Sequence, residues 1–518
     1  MSDCRKEYKW LRLITGGVAP MLLALVVLAV ASMTHEGWEP AGRLAGICKE
    51  LVQGTTQGRQ ALAGSCWFGP LSTLFYLPLA WIFSARIAGG VAFFLSFFLA
   101  LWSVREALKS SAHAFTHILA AQVGISVLAL TVIPADLLSV NTVLPAAFFA
   151  IAFGSLLDWS AQMRLRDLVM TGISVAMISI SGFHFFALGI WLVLSLPLIW
   201  FWHRPGEPLG RTSSAALIGW LPVIYTFGTW IMLNWLIMGD PVFFLRSLIT
   251  YGQQTGYQLL VVVFAPGALL LGYLTIGTLF YRGQEDRVAT VWGNRLFALL
   301  IVVAAAGYLC GLSCLGLAWC ASELLFSLLL ISLIFCGRFF ESRVLVAVSS
   351  AAFVALAIWL GSAFTPYSLN LPSADERQTL RGEVENYVRA RTKYGRVFVP
   401  GYTGLSLLQD YKGSLLVPNL HFRVNTLRQD YFGQDLYVLV VKPEGVTAME
   451  DIFSAYPGIY QYGCERLLYA QTFGEWHLFQ VVSAPTWREL QSAKKQLIVL
   501  SRKLSIERLS GFSVVVAL

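Results

Sequence analysis

Two glutamates and the cations beside them, in one short polar stretch, are the residues of this chain best suited to chemistry. The stretch reads His35-Glu36-Gly37-Trp38-Glu39-Pro40, then Ala41-Gly42-Arg43-Leu44-Ala45-Gly46-Ile47-Cys48-Lys49-Glu50-Leu51-Val52-Gln53-Gly54. Pro40 suits the first turn of a helix, where its missing N–H costs nothing, with Glu39 just before it. Arg43 then falls one turn from Glu39, and Ile47 one turn further. The spacing places a carboxylate that can take up a proton beside a cation that can steady an anion. Further on, Cys66-Trp67-Phe68-Gly69-Pro70-Leu71 leads into an apolar stretch. Other chemistries lack their residues. There is no phosphate-cradling glycine loop between a strand and a helix, which disfavours an ATP-driven pump. There is no His-Glu-x-x-His motif and no Gly-x-Ser-x-Gly elbow. Cys310, Cys314, Cys320 and Cys336 have no carboxylate or histidine at ligand spacing and read as apolar packing residues. No metal and no cofactor is expected from these patterns.

The elements that must position that stretch are membrane helices. Of 518 residues, 57% are hydrophobic and only 13% charged, against roughly 25% charged in soluble domains. The apolar residues come in runs near the ~20 residues that cross a hydrocarbon layer. The expected spans are Leu11–Met33, Ile87–Leu108, Ala114–Ile133, Thr142–Trp159, Leu168–Ser181, Phe185–Trp202, Ala215–Met238, Gln258–Tyr281, Arg295–Leu312, Leu315–Cys336 and Val344–Ala363. The first span is long, lacks a small-residue cleavage site and is followed by others, so it reads as an anchor rather than a signal peptide.

The net charge of +8 follows this topology and not a nucleic acid. Arg5, Lys6, Lys9 and Arg12 precede span one. Arg105 and Lys109 follow span two, Arg164 and Arg166 span four, Arg204 and Arg211 span six, and Arg282 and Arg287 span eight. Arg338 and Arg343 separate the last two spans. All fall on one side if the N-terminus is cytoplasmic, which is the positive-inside pattern. The scheme holds only if Leu71–Ser84, a short apolar stretch with Pro78 inside, lies along the membrane or re-enters it. Counted as a crossing, it would carry Arg105, Lys109, Arg164 and Arg166 to the other side. Thr34–Pro70, Gly239–Gly256 and everything after about Phe364 then lie outside the cytoplasm. The chain divides into a transmembrane domain over 1–363 and a small α/β extracytoplasmic domain over 364–518. In the latter Tyr394–Pro400, Leu436–Lys442 and Phe473–Val482 read as strands, and Arg377–Arg391 and Trp487–Lys503 as helices. Cys48 and Cys66 share the first outer loop, where a disulfide between them is one possibility. Glu323 stands within a span, where a carboxyl is functional by default or else hydrogen-bonded between helices.

The order of these features resembles the GT-C class of membrane glycosyltransferases, particularly the protein O-mannosyltransferase and aminoarabinose transferase relatives. Those begin with a span and an outer loop carrying a catalytic acid. A helix ending in "-x-Leu-x-x-Gly" follows, then Trp-x-x-Pro-Leu before a membrane-surface helix. Counted back from Gly54, the family's leading acid falls on Glu39, where the relatives usually have Asp and often a second acid; here Pro40 follows, and Glu36 is the alternative. Trp230-x-x-x-Asn234, with Trp235 and Gly239-Asp240-Pro241, is similar to a string in bacterial relatives at the outer end of a later span. A further family acid falls on Asp136 in the second outer loop, or its place is taken by Asn141.

The resemblance implies a GT-C bundle of about eleven helices with interfacial helices in the first outer loop. It implies transfer of a sugar from a polyprenyl-phosphate donor to an acceptor lipid, glycan or protein. Glu39 would be the base, Asp136 a partner acid, and Arg43, Lys49, Arg59 and Arg246 cations for the departing phosphate. Asp240, His184 and Trp67 complete the expected substrate contacts. Each has a plainer reading: a helix-start acid for Glu39, a cap for Asp136, a turn residue for Asp240, a snorkelling side chain for Arg246 and a locally bonded His184. A transporter or lipid flippase is the competing class, although the chain shows no repeat and its polar residues collect in outer loops. A non-catalytic assembly protein on the same fold is the third reading.

Overall fold

The computed structural model describes residues 14–34, 48, 51–52, 56–64, 69–109, 114–131, 139–203, 209–246, 265–273, 275, 287–314, 318–339, 374–401 and, with short gaps, 404–482. The protein is mostly helical with a small C-terminal sheet. It separates into two compact units, one of residues 1–375 with 444–454, the other of 376–443 with 455–518.

The first unit is a helical bundle. A π-turn at Ile14–Val18 leads into α1 (Ala19–Thr34), followed by the short α2 (Thr56–Ala63) and α3 (Pro70–Ile82). Longer helices succeed them: α4 (Ala85–Leu108), α5 (Ala114–Thr131), α6 (Val140–Gln162), α7 (Leu165–Ser179), α8 (Phe183–His203), α9 (Leu209–Met238), α10 (Arg287–Cys314) and α11 (Ala318–Phe339). Among the described residues, four helices are long and apolar enough to cross a membrane: Ile14–Met33, Ile87–Leu108, Val140–Gln162 and Ser214–Met238. Shorter apolar helices accompany them at His117–Leu130, His184–Trp200, Leu296–Leu312 and Leu324–Phe339. Of the expected spans, Val344–Ala363 lies outside the described residues, as do most of Gln258–Tyr281 and the side chain of Glu323.

The burial pattern fits a lipid solvent. Central α6 is buried around most of its circumference. On α1 and α9 most exposed side chains are themselves apolar, Leu22 at 52% and Leu221 at 59% among them. Such surfaces are unfavourable in water and neutral in hydrocarbon. Helices in lipid associate by close packing, which small residues allow. A Cβ on Gly172 would sit 2.6 Å from the carbonyl oxygen of Gly219, so α7 and α9 cross nearly backbone to backbone.

Polar contacts fix which helix ends share a side. Gln122 donates to the carbonyls of Thr15 and Leu101, each at 3.2 Å, tying the start of α1 to the last turns of α4. Arg338, in the last turn of α11, pairs with Asp158 and reaches the carbonyls of Ala107 (3.4 Å) and Gly154 (3.5 Å). The C-terminal turns of α4, α6 and α11 therefore meet at one end, the basic end, with Arg105, Lys109, Arg164 and Arg166 around them. The turn at Met163–Arg164 sends α7 back to the opposite end, where it finishes near Ile180 and Ser181. There Gly69 donates to the Ser181 carbonyl at 2.6 Å and Leu71 to that of Ile180 at 3.2 Å. A Cβ on Gly69 would lie 1.8 Å from the Ile180 oxygen, so only glycine permits this approach. Helix α3 thus starts at the loop end. It also finishes there, because Ser84 caps α4 and α4 runs from that end to the basic end. At 13 residues, or about 20 Å, α3 is shorter than a ~30 Å hydrocarbon layer. Its Thr73, Tyr76 and Ala80 are buried, while Leu74, Trp81 and Ile82 stand exposed.

The second unit sets α12 (Ala374–Arg389) against a five-stranded mixed sheet. Its strands are β1 (Gly395–Pro400), β2 (Leu416–Asn419), β3 (Asp435–Val441), β4 (Leu467–Phe473) and β5 (Trp476–Val481), in the order β2-β1-β3-β5-β4. β1 runs parallel to β2 and β3, and β5 is antiparallel to β3 and β4. Val384 and Val388 of α12 pack on Val397, Val399, Leu439 and Leu478. Each such buried side chain contributes roughly 1.5–3 kcal/mol. The expected strand Phe473–Val482 is in fact a hairpin end. Gly474 at φ +57 makes the two-residue turn, so Phe473 closes β4 and pairs with Trp476. β2 was not anticipated, since four residues carry too little alternation to read. The expected helix Trp487–Lys503 lies outside the described residues.

Candidate functional site at the loop end

The loop end is assembled from sequence segments far apart. α2 is short and weakly apolar, and it is held from outside itself. Its last residue, Ala63, is buried, and its carbonyl accepts two hydrogen bonds from α9, from Trp230 Nε1 at 2.7 Å and Asn234 Nδ2 at 3.1 Å. Asn234 also donates to the Trp230 carbonyl at 2.9 Å, which fixes the amide's orientation. Two residues back, Ala61 accepts from the Thr73 hydroxyl of α3 at 3.5 Å. The Trp230 ring stacks on Phe244 with centroids 4.2 Å apart, fastening the segment beyond α9 to the same place.

Cys48 is a free thiol, buried beside α3, with its Sγ directed at the Thr73 carbonyl 3.9 Å away. The disulfide considered between Cys48 and Cys66 is therefore not formed, because the sulfur is packed against α3. Burial pushes this thiol up to about 12. Of the remaining cysteines, Cys336 is buried as packing, while Cys310 is exposed on the surface of α10.

Beyond α9 the chain turns at Gly239 (φ +71). Asp240 accepts from the Val242 amide at 3.1 Å, making an Asx turn, and its carbonyl accepts from Phe243 at 3.3 Å. Its other carboxylate oxygen lies 2.5 Å from Arg246. The plainer reading of Asp240 thus has direct support: it shapes the turn and pairs with Arg246. Arg246 stays half exposed while paired. Arg59 is exposed on α2, one turn before Ala63. His184 is fully buried in the first turn of α8, three residues after Ser181, with its ring 4.4 Å from that of Phe185. Asn141 sits half-buried in the first turn of α6.

Glu36, Glu39, Arg43, Lys49, Trp67 and Asp136 lie outside the described residues. The residues on either side of the glutamates are described: α1 ends at Thr34, and Cys48 is packed on α3. Two structural features of this end are not legible in the sequence. Trp230 and Asn234 stood out as a motif without a role, and their role is to grip Ala63. Gly69 belongs to the Cys66–Leu71 string, and its amide reaches the Ser181 carbonyl at 2.6 Å. Among the described residues no three His, Cys, Asp or Glu side chains cluster as metal ligands.

No known protein family matches the chain, and no curated protein is significantly similar to it.

Proposed function

We propose that this protein is a membrane glycosyltransferase of the GT-C type. It takes a sugar from a polyprenyl-phosphate carrier and places it on an acceptor at the outer face of the cytoplasmic membrane, with the C-terminal unit on that side. The observation that carries the reading is the grip of Trp230 and Asn234 on Ala63. It ties the first polar loop to the motif at the end of α9, the two regions in which the sequence resembles that class.

The rest of the geometry supports the topology the reading needs. Cations gather at one end of the bundle, as a cytoplasmic face requires. Helix α3 starts and finishes at the other end with an apolar exposed side, as an interfacial helix should. The eleven-span bundle and the cytoplasmic N-terminus are part of this proposal.

In the reaction, the Glu39 carboxylate accepts the proton of the acceptor hydroxyl or amine as its oxygen or nitrogen bonds to the anomeric carbon. The bond from that carbon to the phosphate oxygen breaks, and its electron pair leaves with the phosphate. Glu36 is the alternative base and Asp136 the partner acid. Arg43, Lys49 and Arg59 offer charge to the leaving phosphate. Arg246 joins them only by sharing its charge with Asp240. That pairing favours the second reading, a non-catalytic assembly protein with this architecture. Purified protein mixed with polyprenyl-phosphate sugars and candidate acceptors separates the two. Transfer is expected here, and its absence with every donor would favour the assembly protein or a transporter.

A further inference from the structure

We propose that the cleft between α4, α6 and α7 at the basic end binds the phosphate-bearing headgroup of an anionic phospholipid. The inference rests on the membrane reading of the bundle, not on sugar transfer. The cleft has a volume of about 120 Å³. Lys109, Arg164 and Arg166 line it where the three helices end or begin. Trp102, Ile151 and Met170 line it deeper in. Trp102 lies seven residues before Lys109 on one continuous stretch, which is about 10 Å along the axis. A polar mouth above an apolar wall, with that axial order, matches a lipid whose headgroup sits at the membrane surface and whose chain runs inward.

The charges decide which lipid. Every carboxylate lining the cleft is already paired. Glu106 lies between Arg105 and Lys109, Asp167 binds Arg164 at 2.8 Å, and Asp158 is held by Arg338. Arg166 is exposed and makes no ion pair among the described residues. The lining itself holds three cations and three carboxylates, but Arg105 and Arg338, outside the lining, also pair with Glu106 and Asp158, so among the described residues five cations stand against three carboxylates and the surplus is positive. A zwitterionic headgroup would bring its own cation into that surplus, and an anionic one would not. Exposed Lys109 and Arg166 can reach a phosphate without losing a buried contact.

Native mass spectrometry of the full-length protein in detergent, offered equal phosphatidylglycerol and phosphatidylcholine, tests this. Wild type is expected to retain phosphatidylglycerol preferentially. The Lys109→Gln/Arg166→Gln variant is expected to lose that preference by about tenfold or more. Arg389→Gln/Lys393→Gln, an equal charge change at exposed residues of the C-terminal unit, is expected to keep it. If the double variant does not fold, Arg166→Gln alone carries the test. Equal retention of both lipids by wild type, or an unchanged preference in the variants, overturns the proposal. Displacement of the lipid by soluble glycerol 3-phosphate overturns it too, since the ligand would then be a free phosphate. Recovery of the chain in the soluble fraction without detergent would instead sink the membrane reading, before any lipid is counted.

Discussion

Asn234, buried near the end of α9, donates to the carbonyl of Ala63, the last residue of α2 and 171 positions earlier in the chain. Trp230 shares the same acceptor. Losing one donor should cost about 1 kcal/mol, whereas losing both strands a buried carbonyl at about 1–3 kcal/mol. Asn234→Leu with Trp230→Phe should therefore release α2, read as faster amide hydrogen exchange over residues 56–63 with exchange in α6 unchanged. Uniform protection in the double variant would mean that α2 is held by other means.

At the basic end, Asp158 and Arg338 are both nearly buried, with 11% and 12% of their side chains exposed. Removing one partner leaves the other charge without its counterpart in a poorly solvated place. Asp158→Asn is expected to destabilise the bundle by about 3–5 kcal/mol. Replacing both by Leu and Met should cost much less. Thermal unfolding in detergent of the two variants checks the order. A double variant as damaged as the single one would contradict it.

In the C-terminal unit, the Tyr411 hydroxyl lies 2.5 Å from Glu385 and accepts from the amides of Leu415 and Leu416 at 3.3 Å each. Burial first, and the Glu385 carboxylate second, raise its pKa above the usual tyrosine value. A raised pKa in the folded state means stability that is full below pH ~10 and is lost as pH rises through the folded value. Tyr411→Phe should cost about 1–3 kcal/mol at neutral pH. It should also flatten the alkaline limb of stability, leaving the contribution of Tyr437, which is shifted the same way by burial. Chemical denaturation across that range reads both effects.

The helices were legible because apolar runs of span length leave few alternatives. Ala114–Thr131 and Ala85–Leu108 fall within two residues of the expected Ala114–Ile133 and Ile87–Leu108. The side on which α3 returns could be inferred from charge, since lysines and arginines count sides even where helix contacts are unseen. What could not be read was contact across distance. Nothing local in Trp230-x-x-x-Asn234 says that its partner is a backbone carbonyl, because a carbonyl has no sequence identity. The Asp240–Arg246 pairing was missed for a related reason. Each residue reads singly as a ligand, and a six-residue spacing across a turn has no helical regularity to suggest that they meet. The split of Phe473–Val482 into a hairpin end followed from one glycine whose turn was overlooked.

Cys48 should resist alkylation. Its thiol is buried and its pKa pushed up to about 12, so thiolate at neutral pH is scarce. Maleimide mapping at neutral pH should leave it unmodified and also unbridged, with labelling only after denaturation. Recovery of a Cys48–Cys66 peptide under non-reducing conditions would contradict the packing of Cys48 on α3.

Glu39 is where the functional account is most exposed. Purified protein would be supplied with polyprenyl-phosphate sugars and a panel of lipid, glycan and protein acceptors, and compared with Glu39→Gln. General-base catalysis typically contributes ~10²–10⁴-fold. The account predicts sugar transfer by the natural chain and a loss of at least about a hundredfold in the variant, with membrane extraction and unfolding temperature unchanged. Transfer that survives Glu39→Gln undiminished would contradict it.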